Sequence, residues 1–145
     1  MKQMLCVLLA LVLSLSLMGC GNRADTAMQT ITLKEAAAAL TSGEYVFFDV
    51  RKAADSSEAI IPYAWVCDMD AAVQGDFQAG VAVMEAAVKD LDKKIILVCN
   101  EGERHAQLAA NALAALGYDM TAVYNLEGGF QAWCQAYPYW VAYSK

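Results

Sequence analysis

The chain reads as an α/β domain, a central and mainly parallel sheet with helices on both faces. Three observations predict it. Residues 45–50 and 95–98 are nearly continuous apolar runs, interrupted only by Asp49, as strands buried on both faces are. Segments with apolar residues at helical spacing alternate with those runs. At 145 residues the chain is sized for one domain with a substantial core.

The elements follow in order. Thr32-Leu33-Lys34-Glu35 is a capping box, in which hydroxyl and carboxylate satisfy N–H groups that the first helical turn leaves open. It opens an alanine-rich helix to Leu40, with Gly43 just beyond as a stop. Residues 45–50 form a strand and 64–67 a shorter one. Val81, Met84, Val88 and Leu91 mark a helix over 81–91. Lys93-Lys94 lead into the central strand before Cys99. A further helix carries Gln107, Leu108, Ala109, Ala110, Ala112, Leu113 and Leu116 and is closed by Gly117, and residues 121–126 give the last strand. Trp133 and Phe130 are expected in the core. The aromatic tail 137–143 fits either an interface or a strand or flap over a sheet edge.

In parallel sheets of this kind ligands sit beyond the carboxyl ends of the strands, and there the chain places Cys99. Four apolar residues deliver this cysteine into a short loop that opens a helix. In such a turn successive N–H groups form an anion-binding nest, reinforced by the positive end of the helix dipole. A thiol at its base is expected to have a lowered pKa and to be nucleophilic at neutral pH. Gly102 permits the tight backbone, and Arg104 supplies a fixed charge for an oxyanion. The competing reading makes Cys99 a small buried hydrophobe. The glycine, the arginine and the helix start favour catalysis.

Four residues intervene between Cys99 and Arg104, one fewer than protein tyrosine phosphatases place between theirs. The loop resembles that of the rhodanese family, roughly Cys-Arg-x-Gly-x-Arg-Ser. Phe47-Phe48-Asp49-Val50-Arg51 resembles its strand ending in Asp-Val-Arg, and Ile61-Pro62-Tyr63-Ala64 its Ile-Pro-Gly-Ala turn. Leu116-Gly117-Tyr118 and the run from Leu126-Glu127-Gly128-Gly129 to Trp133 resemble its closing segments. The resemblance implies a three-layer rhodanese-like sandwich and a sulfurtransferase. Cys99 would take a sulfane sulfur from a small anionic or persulfide donor such as thiosulfate. The persulfide would sit in the loop of Asn100, Glu101, Gly102, Glu103 and His105, with Arg104 holding the donor's anionic end. A thiol, small or on a protein, would accept the sulfur. No metal or organic cofactor is required, because the thiolate divides the transfer into two easier steps.

The departures from the family pattern fall around the site. Asn100 replaces a basic residue, and Glu101 and Glu103 put two carboxylates in the loop, which raise a thiol pKa and repel an anion if they face it. Ser56, Ala59, Ile60 and Tyr63 also differ, the last standing where the family has glycine. Asp49 and Arg51 are candidate pocket residues. The resemblance implies that Arg51 pairs with Asp55, so a structural ion pair and a substrate contact both stay open. His105, the only histidine, is either a solvated first-turn residue or a group that holds the thiolate or shuttles a proton. Trp65 either lines a pocket or packs.

Residues 1–19 carry one positive charge, Lys2, and an unbroken apolar run over 4–13 before Leu17-Met18-Gly19-Cys20. This predicts a secretory signal too short to span a bilayer. Its ending resembles the bacterial lipobox, which implies that Cys20 is lipidated and begins the mature chain. Residues 20–29 are then a tether and 30–145 the domain, held outside the cytoplasm on a bacterial membrane. An uncleaved anchor helix is the competing reading and gives the same side. A net charge of −6, more acidic still without Lys2, argues against a nucleic-acid partner. Cys6 falls in the signal, so Cys67, Cys99 and Cys134 remain, an odd number that leaves a reactive thiol or an external partner. Lacking any Cys-x-x-Cys pair, they and one histidine do not make a zinc site. Two other classes stay open: a rhodanese-like binding module without turnover, motivated by the acidic loop, and a thiol redox protein in which Cys67 or Cys134 resolves Cys99.

Overall fold

Strands β1 (Gln29–Ile31), β6 (Val123–Leu126), β5 (Lys94–Val98), β2 (Tyr45–Asp49) and β4 (Trp65–Val66) lie side by side in that order, every pair parallel. The computed structural model describes residues 24–101 and 103–144. The expected signal 1–19, the expected lipidation site Cys20 and the loop's Gly102 lie outside the described residues.

Both faces of the sheet are covered, which is why its strands carry so little polarity. Alternate residues of β5 go to opposite sides: Ile95, Leu97 and then Cys99 join one core, Ile96 and Val98 the other. The first core also holds residues of α3 (Asp70–Val73), α4 (Phe77–Val88) and α5 (Arg104–Ala115), and the second holds residues of α1 (Leu33–Ala39) and α6 (Gly129–Ala136). The three-layer α/β architecture expected from the sequence is the architecture observed.

The capping box is present in full: Glu35 N–H donates to the Thr32 hydroxyl at 3.3 Å and Thr32 N–H to the Glu35 carboxylate at 3.0 Å. Helix α4 begins at Phe77, four residues before the expected start, because the Asp76 carboxylate accepts from Ala79 N–H at 3.1 Å and caps it there. The last strand starts at Val123 rather than 121, since Asp119 caps a 3-10 turn over Met120–Ala122. Helix α5 ends as expected, with Gly117 left-handed at φ 76° and Tyr118 N–H closing back on Leu113 at 3.0 Å.

Two expectations are corrected. The tether does not extend to residue 29: Gln29 opens β1, and Thr26 N–H donates to Asn111 Oδ1 at 2.8 Å while Gln107 Nε2 donates to Thr26 O at 2.8 Å, so Thr26 is held on α5 and Gln29 on the sheet. The aromatic tail does not cover an edge of the main sheet. It supplies β7 (Ala142–Tyr143), which pairs antiparallel with β3 (Ala59–Ile60) in a separate two-stranded sheet. Its Trp140 carbonyl accepts the indole N–H of the core residue Trp133 at 2.8 Å. Between β2 and β3 runs α2 (Ala53–Glu58).

Candidate active site

Cys99 is buried, directly beyond the carboxyl end of the central strand β5, and the first turn of α5 follows five residues later. An open cavity of about 580 Å³ is lined by Cys99, Asn100, Glu101, Glu103, Arg104, His105 and the α6 residue Gln131. The structure therefore brings together all the described residues of the expected loop around the expected nucleophile. The N–H groups of Asn100, Glu101, Glu103, Arg104 and His105 donate to no acceptor among the described residues, and the N-cap Glu103 makes no side-chain cap. Open amides and an uncapped helix start create a local preference for negative charge beside the thiol.

What fixes this loop is α6. Phe130 N–H donates to Cys99 O at 2.7 Å and Gln131 N–H to Asn100 O at 3.1 Å, so the carbonyls of Cys99 and Asn100 are turned toward α6. The approach requires glycine. Gly129 has φ 64°, and a Cβ there would lie 2.4 Å from Cys99 O and 2.6 Å from Asn100 O. Gly128, the left-handed N-cap at φ 68°, sets the preceding turn. The sequence displayed this signal as the Gly128-Gly129 pair; its role as the clamp on the nucleophile's own carbonyl comes from the fold.

Asp49 and Arg51, the candidate pocket residues, lie outside the lining of this cavity. Both are buried and they pair with each other: Arg51 Nε donates to Asp49 Oδ1 at 2.9 Å and Nη2 to Oδ2 at 2.6 Å. The partner is Asp49 rather than Asp55, because Arg51 folds back along its own strand end, where Nη2 also reaches Ala59 O at 2.7 Å. The guanidinium lies 3.8 Å from the Phe130 ring centroid, so it acts on the site at one remove, by holding the residue that grips Cys99.

Arg104 is exposed, has no ion-pair partner among the described residues, and also borders a second cavity of about 400 Å³ with Glu103, Gln107, Asn125, Asp25 and Met28. Glu101 and Glu103 are exposed on the cavity wall, and Glu101 accepts from Gln131 Nε2 at 3.2 Å. His105 is partly buried. Its Nε2 faces Asp70 Oδ1 at 3.6 Å, and the other Asp70 oxygen lies 3.7 Å from Lys52 Nζ. Asp70, Lys52 and Gln131 are neighbours of the site that the sequence did not single out.

The three described cysteines are free. Cys67 is buried, and burial first, with the Asp49 charge behind it, pushes its thiol up to about 12. Burial also raises the Cys134 thiol, against the opposing charge of Arg51. Trp65 stacks on Phe48 with centroids 5.7 Å apart and stays half exposed. It lines a separate cavity of about 500 Å³ with Tyr63, Tyr45 and Lys93.

The family model for the rhodanese-like domain matches residues 32–136. The human thiosulfate:glutathione sulfurtransferase is 30% identical over 110 residues, covering 73% of this chain and 93% of its own. A rhodanese-like domain protein from Staphylococcus aureus superposes with a TM-score of 0.53 at 26% identity, over 73% of this chain and 91% of that one. The As-Sb reductase of Leishmania major shares the fold, with a TM-score of 0.60 at 19% identity over 77% and 80% of the two chains. A family match over residues 32–136 and a relative matched over 93% of its own length agree with the sheet order and the Cys99 loop: the chain belongs to the rhodanese-like domain family.

Proposed function

We propose that this protein is a sulfurtransferase that carries a sulfane sulfur as a Cys99 persulfide, from an anionic donor such as thiosulfate to a thiol acceptor. The observation that carries the reading is the seat of Cys99, at the end of the central strand and on a cavity lined by loop residues whose N–H groups find no acceptor among the described residues. In the first half, the Cys99 thiolate attacks the outer sulfur of thiosulfate; the Cys99–S bond forms, the S–S bond breaks, and sulfite leaves with the electron pair. Arg104 and the amides favour the anionic donor and the departing sulfite. In the second half a thiol takes the outer sulfur and Cys99 is restored. The likeness to a thiosulfate:glutathione sulfurtransferase supports this chemistry. Mixing the protein with thiosulfate is expected to release one sulfite and add one sulfur to the intact mass, with neither event in Cys99→Ser.

The carboxylates of Glu101 and Glu103 at the cavity support a second reading, a binding module that keeps the fold without turnover. Failure to load sulfur under any condition would select it. A resolving role for Cys67 is disfavoured, because a thiol held near 12 offers almost no thiolate at neutral pH.

The proposal includes the place of action. The apolar run over 4–13 and Leu17-Met18-Gly19-Cys20 support export and lipidation at Cys20, with the domain anchored outside the cytoplasm. Among the described residues no helix is long and apolar enough to cross a membrane. Cys20→Ala is expected to move the folded protein from the membrane to the soluble fraction; recovery of the unmutated protein there would reject the anchor.

A further inference from the structure

We infer that His105 is a catalytic residue of the acceptor half-reaction, carrying a proton from the incoming thiol to the transferred sulfur, and that Asp70 is its positioning residue. The inference rests on the sulfurtransferase reading. His105 lines the same cavity as Cys99, one residue past Arg104 in the first turn of α5. Its Nε2 is buried without a hydrogen bond and is turned toward Asp70 Oδ1, 3.6 Å away. With Nε2 on the Asp70 side, the proton transfer is assigned to Nδ1. Asp70 is held in turn by Lys52, so a Lys52–Asp70–His105 chain runs from the surface to the cavity wall.

A proton taken up by the ring makes a charge-assisted hydrogen bond to Asp70 once the gap closes by about 0.7 Å. The charged groups around the ring are Asp70 of α3, with Lys52 behind it, and Glu101, Glu103 and Arg104, which line the same cavity. The chemistry needs such a carrier. After sulfite leaves, the outer sulfur of the persulfide is anionic, and a thiolate attacking it meets like charge. If the imidazole removes the thiol proton and delivers it to that sulfur, the RS–S bond forms while the Cys99–S bond breaks. The electron pair returns to Cys99 as thiolate, and the product leaves as RS–SH. The sum is Cys–S–S⁻ + RSH → Cys–S⁻ + RS–SH, with the ring neutral before and after.

Sulfite discriminates this role from a structural one, because the sulfite dianion takes the sulfur with no proton to surrender. The protein, His105→Gln and Asp70→Asn are loaded with thiosulfate until one added sulfur appears by mass. Each is then discharged by 2-mercaptoethanol or by sulfite. General acid–base help is worth at least about a hundredfold in favourable cases, so the thiol-to-sulfite rate ratio is expected to fall by about tenfold or more in His105→Gln and by less in Asp70→Asn. Raising the pH until the acceptor is already thiolate should narrow the gap. A ratio within about twofold of the unmutated protein in both loaded variants overturns the inference while leaving the sulfurtransferase reading intact. Failure of the unmutated protein to load sulfur overturns both.

Discussion

Gly129 and Tyr63 hold almost the same backbone conformation, φ 64° and 65°, at two turns that the rhodanese pattern writes with glycine, yet only one of them has kept it. The difference is space. A Cβ at Gly129 would press on Cys99 O at 2.4 Å, whereas Tyr63 is 86% exposed and its side chain projects into solvent. The first turn obeys a packing demand set by the backbone that carries the nucleophile. The second meets only the conformational energy of a left-handed aromatic residue, on the order of 1–3 kcal/mol, which a stable domain absorbs. Substitution is thus tightly limited where α6 clamps the Cys99 loop and permissive at the turn before β4.

The comparison is broken most severely from behind the clamp. Arg51→Ala strands the buried Asp49 carboxylate and frees the Phe130 ring, so stability is expected to fall by about 3–5 kcal/mol in urea unfolding, with loss of activity near the transition. A loss under about 1 kcal/mol would show that α6 holds the loop without Arg51. At the clamp itself, Gly129→Ala combines a forbidden contact with left-handed strain and is expected to cost about 2–4 kcal/mol. In the fraction that stays folded, kcat/KM for thiosulfate should fall by about a hundredfold, since displacing the nucleophile's carbonyl misplaces its thiol.

On the cavity wall, Glu101→Gln with Glu103→Gln removes two charges near the anion while conserving shape. At about 8 Å and an effective dielectric between about 20 and 80, each charge opposes an anion by roughly 0.5–2 kcal/mol before screening. Thiosulfate turnover is therefore expected to rise by about three- to thirtyfold, mainly through KM, with the gain shrinking in added salt. No change at low ionic strength would mean that the carboxylates act at a distance from the bound anion. The smallest effect belongs to the permissive turn. Tyr63→Gly relieves the left-handed strain but frees the unfolded chain, so a net gain of about 1 kcal/mol with unchanged thiosulfate kinetics is expected. Destabilisation would show that the Tyr63 ring contributes more than its exposure indicates.

Much of this was legible in the residues. The apolar runs 45–50 and 95–98, the Thr32 capping box and Gly117 located the central strands and two helices, and Cys99 stood where a strand meets a helix start. The short elements were not: α2, α3 and β3 are too brief for a period to register, and β7 exists through its partner Ala59–Ile60 rather than its own sequence. At the site, Glu101, Glu103, Arg104 and His105 could be named because they are contiguous with Cys99. Asp70 and Gln131 could not, since a parallel sheet gathers them from elements far apart in the chain. Arg51 shows the remaining gap: its charge was evident, but the choice of Asp49 over Asp55 depends on how the chain turns after β2.

The central claim, that one cysteine in a clamped loop carries the sulfur while the other thiols stand by, is tested most directly by mapping the persulfide. The protein and its Cys99→Ser, Cys67→Ser and Cys134→Ser variants are treated with thiosulfate, trapped by alkylation and read by peptide mass. The account predicts the added sulfur on the Cys99 peptide alone, absent only in Cys99→Ser. Sulfur retained by Cys99→Ser, or lost in a folded Cys67→Ser, would contradict it.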